Sequence, residues 1–491
     1  MSPEQDQFAT DVHDLAHFGY PQRLLRALGS VHAFAVSFAL MSVTTGIVLT
    51  FGLGLQNAGP AFVMWWPIVS LGTLFIALTF ANLAGKLPIT GYSYQWTSRL
   101  AGKDFGFFVG WVALVGWLGS TGGIAFGLTG WLLSLANISA TGYTQAIATA
   151  VLIASFVLLN VAGIRVISAI SLFSSSVEVV ASLVLGLVLI VVWAAHNLNP
   201  PSIVVTANSG LTVSAFAIAA LTSLWTLQTF EAASEFAEET VEARKVIPIT
   251  ILRTWAVGIV VGAVLLFGLV LALPNITSTL GASVPTLYVV QQALGDAISP
   301  FFWIVLIIAV YACGLASLTA AARLTFSMAR DNCLPFSKVL AYVHPSLKTP
   351  TWASVAIGVL CAAMCFSADA LNILGGVAAL GWYLVYISTI LAAMYALGNR
   401  ALAKYRIAGT FDLGTWTLPV AVIALIWCVI AIGILTVPGP NNINAVYSVG
   451  GLVVGILYYV FWLRRRIAAG EAGAGVATAA APAMAEVAAQ P

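Results

Sequence analysis

Apolar stretches of about 20 residues recur along this chain, at roughly 31–55, 61–85, 106–136, 144–163, 167–194, 212–236, 248–273, 300–326, 350–367, 371–397, 413–436 and 443–463. That is the length a helix needs to cross the hydrocarbon core of a bilayer. In lipid each backbone amide must find its partner within the protein, so only helices and closed barrels span. The pattern predicts an all-α integral membrane protein with twelve transmembrane helices. Charge supports this: only 7% of the 491 residues are charged, against about 25% in soluble domains. So few charges cannot cover the surface of a soluble fold. A soluble enzyme, a nucleic-acid binder and a disordered chain are excluded. The net charge of +2 does not suggest a polyanionic partner.

All 19 basic residues fall on one side of these spans. Arg23 and Arg26 precede the first span. Lys86, Arg99 and Lys103 follow the second, and Arg165 follows the fourth. Arg244, Lys245 and Arg253 surround the 6–7 connection. Arg323, Arg330, Lys338 and Lys348 flank the 8–9 connection. Arg400, Lys404 and Arg406 follow the tenth span, and Arg464, Arg465 and Arg466 the twelfth. The positive-inside rule then puts both termini in the cytoplasm. The acidic start, with Glu4, Asp6, Asp11 and Asp14 before Arg23, has the wrong charge for a signal peptide. The expected organisation is a cytoplasmic segment (1–30), a twelve-span domain (31–463) and an Ala/Gly-rich disordered cytoplasmic tail (464–491), in an inner or plasma membrane.

Polar interruptions inside the spans locate the chemistry. Span 1 carries Ser42-Val43-Thr44-Thr45-Gly46 at its centre, a weak run of helix. Either the helix is broken there around a cavity, or the hydroxyls bond back to carbonyls in a bent helix. Span 6 has a matching feature: after Trp225 come Thr226-Leu227-Gln228-Thr229-Phe230-Glu231. Spans 1 and 6 are five apart, the offset of two inverted five-helix repeats (spans 1–5 and 6–10) with two helices added. Paired interruptions favour the broken-helix reading and mark a central transport site. Glu178 lies near the middle of span 5 as an isolated acid, either a proton relay or a hydrogen-bonded tether. Glu231, Glu235, Glu238, Glu239 and Glu242 run out of span 6. Glu231 and Glu235 are placed on one helix face, and the outer members are expected to form a solvated gate or ion-pair network. Glu231, the deepest, is a candidate for a substrate amine.

Five cysteines give no disulfide framework. Cys361 and Cys365 share a helix face with only Asp369 near them, which reads as packing rather than metal binding. There is no HExxH, GxSxG or phosphate loop and no filter motif, so neither an enzyme nor a channel is supported. No cofactor is expected.

Four segments resemble signatures of the amino acid–polyamine–organocation permeases. Phe230–Thr240 with Ile247-Pro248 resembles their GF(D/E)…EET…IP signature, and Met328–Ser337 their ARDGxLPFS loop. Pro88–Trp96 resembles the PxSGGxYxW stretch. Thr44–Ile47 with Gly52, Gly54 and Gly59-Pro60 is closest to the amino acid/choline branch, which includes GABA and choline permeases. The resemblance spans roughly residues 20–465. It implies two inverted five-helix repeats plus two helices, and secondary transport of an amino acid or related small amine by alternating access. Substrate would sit between Ser42–Gly46 and Trp225–Phe230, its carboxylate on exposed backbone donors and its amine on carbonyls. Coupling would use a proton, through Glu178 and Glu231, or sodium between spans 1 and 8, where Ser317 and Thr319 offer hydroxyls. An amino acid or polyamine exchanger, or a membrane sensor that moves nothing, are the alternatives. The chain departs from the pattern at Thr229, where relatives carry glycine, at Asn332 for the glycine of the RDG triplet, and at Val241-Glu242-Ala243. Thr229 narrows the implied pocket and suggests a slim substrate.

Overall fold

The structure, a computed structural model, describes residues 11, 14–139, 142–366, 370–407, 409–439 and 442–476. Asp369, the N-terminal acids Glu4 and Asp6, and the tail beyond Val476 lie outside them. The chain is all-α. Its helices are α1 (Ser30–Met41), α2 (Val43–Ala58), α3 (Trp65–Lys86), α4 (Tyr92–Ala101), α5 (Lys103–Leu135), α6 (Gly142–Ala162) and α7 (Ile164–His196). There follow α8 (Val213–Ala219), α9 (Leu221–Thr226), α10 (Ala243–Leu271), α11 (Ile276–Gly281), α12 (Pro285–Leu294), α13 (Ser299–Arg330) and α14 (Ser337–Leu340). The last are α15 (Thr351–Met364), α16 (Ala370–Gly398), α17 (Thr417–Thr436) and α18 (Asn442–Tyr458).

Among the described residues nine helical stretches are long and apolar enough to cross a membrane. The first, Ser30–Lys86, has 57 residues. As one straight helix it would measure about 85 Å, far beyond a core of about 30 Å. It is interrupted at Ser42 and by a 3-10 turn over Gly59–Met64. Two further apolar helices, Val213–Thr226 and Thr351–Met364, are shorter. The chain is a multi-pass membrane protein, and its outward surface is the evidence of that: Leu158, Val191, Val359 and Phe461 are each more than 60% exposed.

Close approach between helices rests on small residues, as expected where lipid removes the hydrophobic drive to associate. A Cβ on Gly268 of α10 would lie 2.6 Å from the Gly186 carbonyl of α7. The connection after α3, the segments after α9 and α13, the start of α17 and both terminal segments meet at one end of the bundle. Arg244 pairs there with Asp14, Lys86 with Asp412, and Arg466 donates to the Asn332 carbonyl. This basic end also holds the start of the tail. Arg464–Ala468 is helical, Ala472 is buried, and Gly473 N donates to the Asp331 carbonyl. The described part of the segment expected as a tail, up to Val476, thus lies against the hydrogen-bond cluster around Asp331.

Candidate functional site

The helix of span 1 breaks at Ser42, with φ 28° and ψ 83°. The break resolves the alternatives read from the sequence: α1 ends and α2 begins within one residue. Ser42 caps α2, its Oγ accepting from Thr45 N at 3.4 Å and lying 2.6 Å from Thr45 Oγ1. A second cap comes from another helix. Glu178 of α7 accepts from Thr44 N at 2.9 Å and from Ser42 Oγ at 3.0 Å, both at Oε1. Helix N-termini leave amide donors unpaired and carry partial positive charge, so a carboxylate is well placed there. Thr44 Oγ1 turns to Ser182 at 2.7 Å, and Ser175 Oγ holds the Ala35 carbonyl at 2.8 Å. Helix α7 thus fastens both halves of span 1.

Span 6 breaks in register with this. Helix α9 ends at Thr226, and Ala232–Glu239 continues as a 3-10 helix. Between them Thr229 takes φ 62°, a region β-branched residues rarely occupy. Tyr386 of α16 holds the segment. Its hydroxyl accepts from Thr229 N at 2.9 Å and donates to Glu231 Oε2 at 2.9 Å, and its ring stacks on Phe230. The two breaks touch, for Ser37 Oγ donates to the Phe230 carbonyl at 3.0 Å. Gly46 faces Thr226 so closely that any Cβ would collide with it.

A cavity of about 20 Å³ lies between the breaks, room for about one water. From the predicted set it is lined by Ser42, Thr45, Gly46, Trp225, Gln228, Thr229 and Ser317. Val43 and Leu227 are buried elsewhere, Thr44 faces Ser182, Thr226 bonds the Thr222 carbonyl, and Phe230 packs on Tyr386. Thr319 is not at the cavity. It accepts from Asn160 Nδ2 at 2.9 Å, one turn from Arg323. Trp117, Ser120 and Cys313 join the lining; they sit in apolar helical runs with no local signal in the sequence. None of the described lining side chains is charged.

Glu231 does not line the cavity; its Oε2 accepts from Tyr386, and its Oε1 is buried with no partner among the described residues. Nor do Glu231 and Glu235 share a helix face, because Glu231 caps a 3-10 helix, Ala232–Glu239, in which residues four apart are rotated by about 120°. Glu235 instead accepts from Gly91 N at 3.1 Å and Trp117 Nε1 at 3.4 Å. Of the two alternatives for the outer glutamates the structure has the ion-pair network, with Glu242 partly exposed and paired to Lys245. Glu238 and Glu239 are fully buried and paired with Arg330 and Arg323 at 2.9–3.0 Å. The Arg330 guanidinium stacks 3.7 Å above the Tyr20 ring, and Tyr20, Tyr94 and Gln95 all donate to Asp331. Several buried layers therefore seal the basic end. Cys361 and Cys365 turn their thiols to the Leu118 and Gly122 carbonyls of α5, as helix packing requires.

Residues 28–461 match the amino acid permease family. The chain belongs to that family. The permease is 26% identical to the amino-acid permease BAT1 of Arabidopsis thaliana over 91% of this chain and 93% of that protein. It is also 26% identical to the BAT1 homolog of Oryza sativa subsp. japonica, over 84% and 85%. A GABA-specific permease of Saccharomyces cerevisiae is 24% identical over 72% and 67%. The permease is thus a membrane transporter, and its four signature segments now have places: Thr44–Ile47 opens α2 after the first break. Phe230–Thr240 forms the second break and the buried ion pairs, and Met328–Ser337 and Pro88–Trp96 form the wall that those pairs meet.

The departure at Thr229 yields a prediction. Thr229→Gly relieves left-handed strain of about 1 kcal/mol but adds a flexible glycine of similar cost, so stability should change little. The side chain would leave the cavity lining. Uptake of substrates one or two carbons bulkier is expected to rise by about tenfold relative to the preferred one. A competition panel giving the same ranking as the parent protein would refute the steric role.

Proposed function

We propose that the permease imports a small amino acid of zero net charge by alternating access, driven by proton symport. The observation that carries this is the cavity shared by the two helix breaks. It offers hydroxyls, an amide and two tryptophans, with no charged lining side chain. A polyamine or choline would enter such a site with its charge uncompensated. A zwitterion can place its carboxylate and ammonium against the freed backbone ends. In this reading Ser42–Gly46 and Trp225–Phe230 frame the substrate and Glu178 carries the proton. Glu231 acts through Tyr386 on the second break. Ser317 remains available for a cation, whereas the position of Thr319 beside Asn160 argues for packing.

The reading also takes the architecture as twelve spans in two inverted five-helix repeats plus two helices, in the plasma membrane with both termini inside. The two breaks five spans apart support it, as does the gathering of the basic connections at one end. The likeness to the GABA-specific permease makes GABA a substrate to test beside the amino acids.

The test is uptake by purified protein in liposomes, with labelled amino acids, GABA, choline and putrescine, under a pH gradient, a sodium gradient or neither. Accumulation of a neutral amino acid under the pH gradient alone is expected. Flux only with preloaded substrate would mean an exchanger, and binding without flux a sensor. Cys313 offers a second check, since its thiol lines the cavity. Maleimide is expected to inhibit transport, saturating substrate to slow that inhibition at least fivefold, and Cys313→Ala to abolish it. Inhibition persisting in that variant would remove Cys313 from the substrate's path.

A further inference from the structure

A second cavity, of about 160 Å³, opens at the basic end between the end of α3, the end of α16 and the start of α17. It shares no residue with the transport cavity. Three cations line it (Lys86, Arg400 and Arg406) with Asp412 as the acid among the described lining residues. Both oxygens of Asp412 are already engaged. Oδ1 takes Lys86 Nζ at 3.1 Å and Gly414 N at 3.1 Å, and Oδ2 takes Arg406 Nε at 2.5 Å. Arg400 has no side-chain partner among the described residues, and its backbone is held at φ 59°. The cavity therefore keeps a net of two positive charges and one guanidinium free to donate.

Its surroundings add to this. Gly414 and Thr417 line it at the entry to α17, where the 3-10 turn Gly414–Trp416 leads into the helix and Asp412 takes the first amide. Leu397 lines it too, and apolar surface begins at once beside it, with Tyr395, Leu418 and Val422 exposed and Trp416 68% exposed. Trp and Tyr mark the level of lipid headgroups. A volume of this size holds about five water-sized groups, and a phosphate has five heavy atoms.

We propose that this cavity binds the phosphate of an anionic phospholipid, held by Arg400 and the positive edge of the Lys86–Asp412–Arg406 cluster, with the acyl chains along the exposed face of α16 and α17. Basic pockets between membrane helices are suited to anionic headgroups, and a guanidinium matches two phosphate oxygens at once. The free anion shares this chemistry, but the adjoining apolar face selects the lipid.

The test measures binding to the full-length purified protein in detergent of three probes separately: short-chain phosphatidylglycerol, phosphatidylcholine of the same chain length, and inorganic phosphate. Phosphatidylglycerol is expected to bind at least tenfold more tightly than phosphatidylcholine. Arg400→Gln is expected to remove that preference and Arg400→Lys to keep most of it. Arg165→Gln, on the same side of the membrane spans but outside the cavity, is expected to leave it unchanged. Equal binding of the two lipids, or a preference indifferent to Arg400→Gln in a protein of unchanged melting temperature, overturns the proposal. Tight binding of inorganic phosphate with no preference between the lipids overturns the lipid source and assigns the cavity to a soluble phosphate.

Discussion

Glu178→Gln is expected to abolish substrate accumulation driven by a pH gradient, by at least tenfold, while substrate exchange stays within about twofold of the parent. The geometry explains why the two should separate. One oxygen of Glu178 caps the second half of span 1, accepting from Thr44 N and Ser42 Oγ. The carbonyl oxygen of glutamine can do the same, so the break at Ser42 keeps its shape. The other oxygen, Oε2, is buried with no hydrogen-bond partner among the described residues. That oxygen is where a proton can be held, and glutamine cannot hold or release one. Glu178→Ala should behave differently. It leaves the Thr44 amide and the Ser42 hydroxyl without their acceptor in a buried site, a cost of about 1–3 kcal/mol for an unsatisfied group. Exchange and accumulation are both expected to fall, and the melting temperature with them. Full pH-driven accumulation in Glu178→Gln would reduce Glu178 to a cap. Loss of exchange in the same variant would show that the amide cannot support the break.

This dual role was only half legible in the sequence. The isolated acid in span 5 was visible, and so was the Ser-Val-Thr-Thr-Gly run. Nothing local joined them, because residues 136 positions apart meet only through helix packing. The breaks themselves were legible, since clustered hydroxyls and polar groups mid-span conflict with lipid. Their detail was not. Periodicity assigned Glu231 and Glu235 to one face, but it assumes an α-helix, and the chain from Ala232 to Glu239 is a 3-10 helix. The outer glutamates after span 6 were expected to form a solvated gate or an ion-pair network, and Glu239 and Glu238 form buried ion pairs. Their arginine partners lie 84 and 92 residues away on α13, beyond any local pattern. Two departures from the family pattern gain a physical meaning. Thr229 and Asn332 both adopt positive φ, where glycine costs least. Asparagine tolerates that region better than threonine does, so Thr229 is the more strained of the two.

The buried pairs beneath the cavity set the second large effect. In the proposed alternating access the basic end would open and Glu238–Arg330 would separate, because the pair ties the segment after the second break to the end of α13. Glu238→Gln leaves the Arg330 guanidinium buried without its carboxylate. Breaking a buried pair from one side costs about 3–5 kcal/mol, and this cost falls on the closed state alone, since an open basic end is hydrated. A shift of about 3 kcal/mol changes the open-to-closed ratio roughly 100-fold. Cys333 reports it. The thiol is fully buried in the same cluster, 3.4 Å from Tyr94 Oη. With the other four cysteines replaced by alanine, its maleimide labelling rate is expected to rise about 100-fold in Glu238→Gln. Replacing both partners, Glu238→Gln with Arg330→Met, removes the stranded charge and should return labelling to within about fivefold of the parent. An unchanged rate in the single variant would show that the pair does not hold the gate. A rate equally raised in both variants, with melting lowered in both, would assign the pair to general stability. Partial opening is also informative, for Arg323–Glu239 lies parallel to the first pair and closes the same segment. Adding Glu239→Gln should then raise labelling further, by an amount that measures how far the two pairs act as one latch.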